Sequence, residues 1–78
     1  MNVSIYLTTM DDSVTFINSV VDGTHINENW TLDNFKIAVT RNKEYLEKGL
    51  LIQEIIDDSS DKTPYTNAIS AANTYLET

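Results

Sequence analysis

Residues 12–22, DSVTFINSVVD, decide the fold, because two periods compete within them. Read as a strand, one face carries Val14, Phe16, Asn18 and Val20 and the other Thr15, Ile17, Ser19 and Val21, so both faces are mixed. Read as a helix, Val14, Ile17 and Val21 line up with Phe16 and Val20, while Thr15, Asn18, Ser19 and Asp22 form a polar stripe. The helical period separates the two classes better. Asp11 or Asp12 can cap its start, and Gly23 suits the left-handed residue after its end. The many β-branched residues count against a helix, where they lose rotamer freedom. The competing arrangement is a β-hairpin that pairs residues 2–9 with 13–21 around Met10-Asp11-Asp12.

Toward the N-terminus, residues 2–8 (NVSIYLT) alternate, with Val3, Ile5 and Leu7 opposite Ser4, Tyr6 and Thr8. That period predicts an extended arm over residues 1–9. A lone strand has no hydrogen-bonding partner within itself, so its ladder must come from residues 13–21 or from another molecule.

Toward the C-terminus, residues 23–30 (GTHINENW) read as a loop, and a helix start follows. Thr31 is a good N-cap, and Trp30 and Phe35 occupy the two positions of a hydrophobic staple. From Leu32, the positions Phe35, Ala38/Val39, Asn42, Tyr45/Leu46 and Gly49/Leu50 form one stripe, opposite Lys36, Thr40, Lys43, Glu44 and Glu47. Lys43–Glu47 and Glu44–Lys48 stand at i,i+4 spacing. Gly49 either ends this helix or is crossed by it. If one helix runs from 32 to 57, Leu51 lies on the extension of the polar face of Lys43 and Glu47, and Leu51, Ile52, Ile55 and Ile56 make an apolar arc that something must cover. Residues 57–63 are a polar break. Thr63 then caps a last helix with Pro64 at its first position, an inner stripe of Ala68, Ile69, Ala72 and Tyr75/Leu76, and alanines at 68, 71 and 72 that permit close approach to another helix.

The predicted fold is therefore mainly α. It is one small helical domain over residues 1–78, with two or three helices packed around Ile17, Val21, Phe35, Val39, Leu46, Ile52, Ile69, Ala72 and Leu76, and an N-terminal extended arm. The alternative is α+β with an N-terminal β-hairpin. At 78 residues and 8.8 kDa there is room for one domain at most. Leu, Ile, Val and Phe make up about 27% of the chain, above the rough 20% floor below which charged chains stay disordered. A domain this small buries only roughly 60% of the surface its unfolded chain exposes. With no cysteine to form a disulfide, extra stability is expected from a partner or from self-association.

The composition and motifs argue against most chemistries. The start, MNVSIYLTTMDD, has neither the basic residues nor the apolar run of a secretory signal, so secretion by that route is not expected. No apolar run reaches the roughly 18 residues of a membrane span. The absence of cysteine removes thiol nucleophiles and thiolate metal sites and fits a reducing compartment. His25, the only histidine, has no orienting partner nearby in sequence and reads as an exposed loop residue. No serine lies in Gly-x-Ser-x-Gly or Ser-x-x-Lys, and two glycines cannot make a phosphate cradle. Asp57, Ser59 and Asp61 match the first ligand positions of a calcium loop, but Lys62 stands where glycine is needed and Ala68 where a bidentate glutamate is needed. Two N-glycosylation sequons, at Asn2 and Asn29, carry no meaning without secretion. The expectation is a non-enzymatic protein with no catalytic residue, metal or cofactor.

The net charge is −7 and the pI near 4.2, a balance that repels DNA and anionic membranes. Residues 1–34 carry −5, residues 35–48 carry +2, and residues 49–78 carry −4. Acidic ends thus flank a mildly basic middle. One reading is ordinary solvated surface. The other is complementarity between subunits, an acidic end of one copy meeting the basic helix of another. The candidate partner-binding residues are Ile5 and Tyr6 on the arm, Leu51 and Ile55 on the wide apolar arc, and Tyr65 on the last helix, since tyrosines recur in interface hot spots. Trp30 is accounted for by its staple, and Tyr45 and Tyr75 read as edge-of-core residues.

Asn29-Trp30-Thr31, the run Ala38-Val39-Thr40-Arg41-Asn42-Lys43-Glu44-Tyr45-Leu46-Glu47, Thr63-Pro64-Tyr65-Thr66 and Ala71-Ala72-Asn73-Thr74-Tyr75-Leu76 give residues 29–77 a layout that resembles short proteins from the virion and tail gene regions of tailed bacteriophages. The resemblance implies a virion-associated structural or assembly protein. Its partners would be protein, through self-association or a larger viral assembly, and its location the virion or the host cytoplasm. The alternative function is an acidic inhibitor that imitates nucleic acid and blocks a host or anti-phage defence protein.

Overall fold

The computed structural model describes residues 2–78. They form a small all-α domain of four helices: α1 (Val3–Val21), α2 (Leu32–Gly49), α3 (Gln53–Asp57) and α4 (Thr63–Leu76). The three long helices each pack against both others, and α3 leans on α1. The molecule measures 38 × 21 × 17 Å. There is no strand among the described residues.

The extended arm and the hairpin alternative are both overturned at α1. Asn2 caps this helix, its side chain accepting a hydrogen bond from the Ile5 N–H at 3.2 Å. Helical geometry then runs through Met10-Asp11-Asp12, where a start or a turn was expected. The reason is visible only when residues 2–8 and 12–22 are read together. Met10, Ser13, Ile17 and Val20 are the buried residues of α1, and their three- and four-residue spacing is that of one helical face. Asp11 and Asp12 lie on the exposed side. The threonines that favour strands are accommodated by back-bonding: the hydroxyls of Thr8, Thr9 and Thr15 donate to the carbonyls of Ser4, Ile5 and Asp11.

The end of α1 and the start of α2 agree with the sequence. Gly23 is left-handed at φ 77°. The Thr24 N–H reaches the Ser19 carbonyl at 2.9 Å and the Gly23 N–H the Val20 carbonyl at 3.1 Å, the two bonds of a Schellman motif. At α2, the Thr31 hydroxyl accepts from the Asn34 N–H while the Asn34 side chain accepts from the Thr31 N–H. Trp30 and Phe35 meet edge to face, with centroids 5.1 Å apart. The Lys43–Glu47 pair forms at 4.0 Å.

The helix does not cross Gly49 into a longer one. A tight turn over residues 50–52 follows, with the Leu51 and Ile52 N–H groups bonded to the Lys48 and Gly49 carbonyls and Ile52 extended. The Met10 side chain fills the space beside Gly49: a Cβ there would stand 2.6 Å from the Met10 sulfur, so the flexible methionine would have to shift to admit one. Beyond α3, Lys62 gathers the loop by donating to the Asp58 and Ser60 carbonyls at 2.7 Å each. The helical bounds of α4 start at Thr63, so Lys62 rather than Thr63 is the N-cap, without a side-chain cap bond, and Pro64 takes the second helical position; Asp61, before the cap, accepts from the Thr63 N–H at 2.9 Å. As expected from their size, Ala68 and Ala72 are fully buried and let α4 sit close.

The core comprises Met10, Ile17, Val20, Val39, Leu46, Ile55, Tyr65, Ala68 and Ala72. Ile17, Val39, Leu46 and Ala72 were expected there. Phe35, Ile52, Ile69 and Leu76 pack against its edge, and Val21 is exposed, one position past the buried face at Val20.

Candidate functional site

The five residues singled out from sequence separate into three groups. Ile55 and Tyr65 are not surface residues. Ile55 is completely buried, because the turn at 50–52 redirects the chain and swings α3 inward. Tyr65 is only 5% exposed, and its hydroxyl donates to Asp11 at 2.7 Å, tying α4 to α1. Burial, followed by the Asp11 hydrogen bond and the charges of Asp11 and Asp58, pushes its phenol up to about 12. Tyr6 is half-buried, its ring stacked on Tyr45 at 5.2 Å and 10°. Burial, and then the adjacent Tyr6, hold the Tyr45 phenol above its ordinary value.

Leu51 and Ile5 do face outward, at 80% and 65% exposure. The geometric reason differs from the expected one. Leu51 does not continue the polar face of α2; it is the apex of the turn that ends it. Ile56 on α3, 53% exposed, follows the same turn as Leu51, and the part of α1 that carries Ile5 meets the last turns of α2 leading into that turn (Tyr6 on Tyr45, Met10 against Gly49). Sequence reasoning placed Ile56 in the arc but did not single it out.

A second surface was missed. The outward side of α2 forms an open hollow between Lys36, Ile37, Thr40, Arg41 and Glu44. Ile37 is exposed in its middle. Among the described residues neither Lys36 nor Arg41 forms an ion pair. The signal was available: an isoleucine sits between two cations on what the helical period already marks as the solvent side.

The titratable residues read as loop or structural groups. His25 is half-buried rather than freely exposed: it lies among the rings of Phe16, Trp30 and Phe35 at 5.2–6.0 Å, and its Nδ1 stands 3.5 Å from the Ser19 hydroxyl. In the Asp57–Asp61 run, hydrogen bonds from the hydroxyl and N–H of Ser60, and then the charge of Lys62, hold Asp58 below its ordinary value. Thr63 does the same for Asp61. No group of three His, Asp or Glu side chains among the described residues is placed to hold a metal ion, and no described helix is long and apolar enough to cross a membrane. Comparison of the chain with protein-family models, with curated proteins and with solved structures gave no match.

Proposed function

We propose that this chain is a non-catalytic protein-interaction module, a virion-associated structural or assembly subunit of a tailed phage. The supporting observation is the end of the bundle at which Ile5, Leu51 and Ile56 stand more than half exposed. Single exposed aliphatic groups are ordinary, whereas several gathered at one end favour contact with another protein surface. A turn apex costs little to mutate, so a leucine there is not demanded by the fold. The phage assignment draws on the resemblance of residues 29–77 to virion and tail-region proteins.

The test is recovery of the full chain with phage particles from an infected culture. The wild-type chain is expected to co-purify with intact particles at a fixed copy number, and Leu51→Glu to be lost from them while keeping its helical circular dichroism. A wild-type chain left wholly in the particle-free fraction overturns the virion reading.

A further inference from the structure

We infer that the hollow on the outward side of α2 is the socket for the α2–α3 corner of a second copy of this chain. The inference rests on the protein-contact reading above and names the partner.

The two surfaces are complementary in charge and alike in apolar content. The corner presents Leu51 and Ile56 with the exposed carboxylates of Glu54 and Asp57, and its one exposed cation is Lys48 on the last turn of α2. Among the described residues Glu54 and Asp57 form no ion pair, and Asp57 accepts from the Gln53 amide at 2.8 Å. The hollow presents Ile37 between Lys36 and Arg41, with Glu44 as its one anion. Lys36 and Arg41 have aliphatic stems that can cover a leucine while their charged heads meet carboxylates. The guanidinium also offers the planar fork that carboxylates match best.

The charge layout of the whole chain selects the partner. Residues 1–34 and 49–78 are net negative, at −5 and −4, and only residues 35–48 are net positive, at +2. Two copies that meet through their acidic regions repel. The favourable approach sets α2 of one copy against an acidic region of the next. The α1–α2 loop, with Ile26 83% exposed, also joins apolar groups to acidic residues, but it is wide, whereas the corner offers Leu51, 80% exposed, at the apex of a tight turn. Because corner and hollow are different surfaces, the contact is head to tail, and each added copy leaves one of each free.

Complementation tests this directly. By sedimentation velocity at low salt, the wild-type chain is expected to form species larger than a dimer as concentration rises, and to dissociate at high salt as screening weakens the charge contacts. Leu51→Glu spoils only the corner and Arg41→Glu only the hollow. Each alone is expected to lose about tenfold or more in association, the scale of a hot spot. Mixed in equal amounts, they keep one good corner and one good hollow between them, and a dimer that grows no further is expected. Both sites are exposed, and circular dichroism checks that both variants fold; Ile56→Glu replaces Leu51→Glu if the latter does not. A purified wild-type chain that stays monomeric to millimolar concentration overturns the inference, and recovery on phage particles then decides the protein-contact reading separately. Oligomers that the mixture fails to restore also overturn it, since they require a symmetric contact.

Discussion

The corners that open and close α2 are built differently. The α1–α2 corner is wide and held by its own residues: Gly23 and the Schellman bonds close one side, Thr31 and Asn34 cap the other, and Phe16, His25, Trp30 and Phe35 pack ring against ring between them. The α2–α3 corner is tight and has no side-chain cap at α3. What holds it is distant in sequence, with Gly49 against Met10 on one flank and Ile55 in the core on the other. A corner secured by local bonds tolerates distant change. A corner secured by packing depends on the rest of the bundle and leaves its apex free to be apolar.

That contrast can be broken most forcefully at Ile55. Ile55→Ala is expected to cost about 2–5 kcal/mol, the usual range for truncating a buried aliphatic side chain, read as a lower urea midpoint. A loss within the noise of the measurement would mean that α3 is not anchored by packing. Gly49→Ala comes next. Overpacking costs roughly 1–3 kcal/mol, offset by up to about 1 kcal/mol of helix propensity, and the shift of Met10 should be visible in its methyl NMR resonance. An unperturbed Met10 methyl would remove the close approach from the account.

The locally held corner should respond less. Thr31→Ala removes one half of a reciprocal cap and is expected to cost about 0.5–2 kcal/mol, with lost hydrogen-exchange protection confined to the first turn of α2. Protection lost throughout the bundle would show that this corner, too, is a global element.

The smallest effect lies outside both corners, at Tyr65. Its phenol is raised in the folded chain to about 12 from an ordinary value of 10.0, so the neutral form is the one that folding favours. The stabilisation is complete below pH 10 and is lost as the pH rises toward 12. Tyr65→Phe is expected to lower stability by about 1 kcal/mol at neutral pH and to flatten the decline between pH 10 and 12. An unchanged alkaline decline in that variant would assign the titration to another group.

Legibility from sequence follows the same division. The Thr31 cap, the Trp30–Phe35 staple and the left-handed Gly23 depend on residues at most a few positions apart, and each was readable. The three errors with structural consequences depend on residues beyond the local stretch. The alternation of Val3, Ile5 and Leu7 over so short a stretch has the period of a strand; the helix emerges only when the stretch is joined to Met10, Ser13 and Ile17, and Ile5 then falls on the exposed side. Ile55 falls on the outer arc of one continuous helix over 32–57 and enters the core only because the chain turns between Gly49 and Gln53. Tyr65 was taken as surface because nothing near it in sequence announces Asp11. At the candidate site, the exposure of Leu51 and Ile5 was anticipated, whereas the hollow on α2 was passed over as part of a solvated face.

The hydroxyl back-bonding along α1 has an entropic corollary. Every exposed side chain of α1 is short: serine, threonine, asparagine, aspartate, isoleucine or valine, with no lysine, arginine, glutamate or glutamine. Thr8, Thr9 and Thr15 are already held in one rotamer by their bonds to the preceding turn. Covering a lysine- or glutamate-rich helix freezes many torsions, at roughly 0.5–1.5 kcal/mol for each rotamer-rich side chain immobilised. The outer face of α1 has few such torsions left to freeze. A molecule laid against it would meet a surface whose ordering was completed when the chain folded, so the affinity there is set almost wholly by shape and charge.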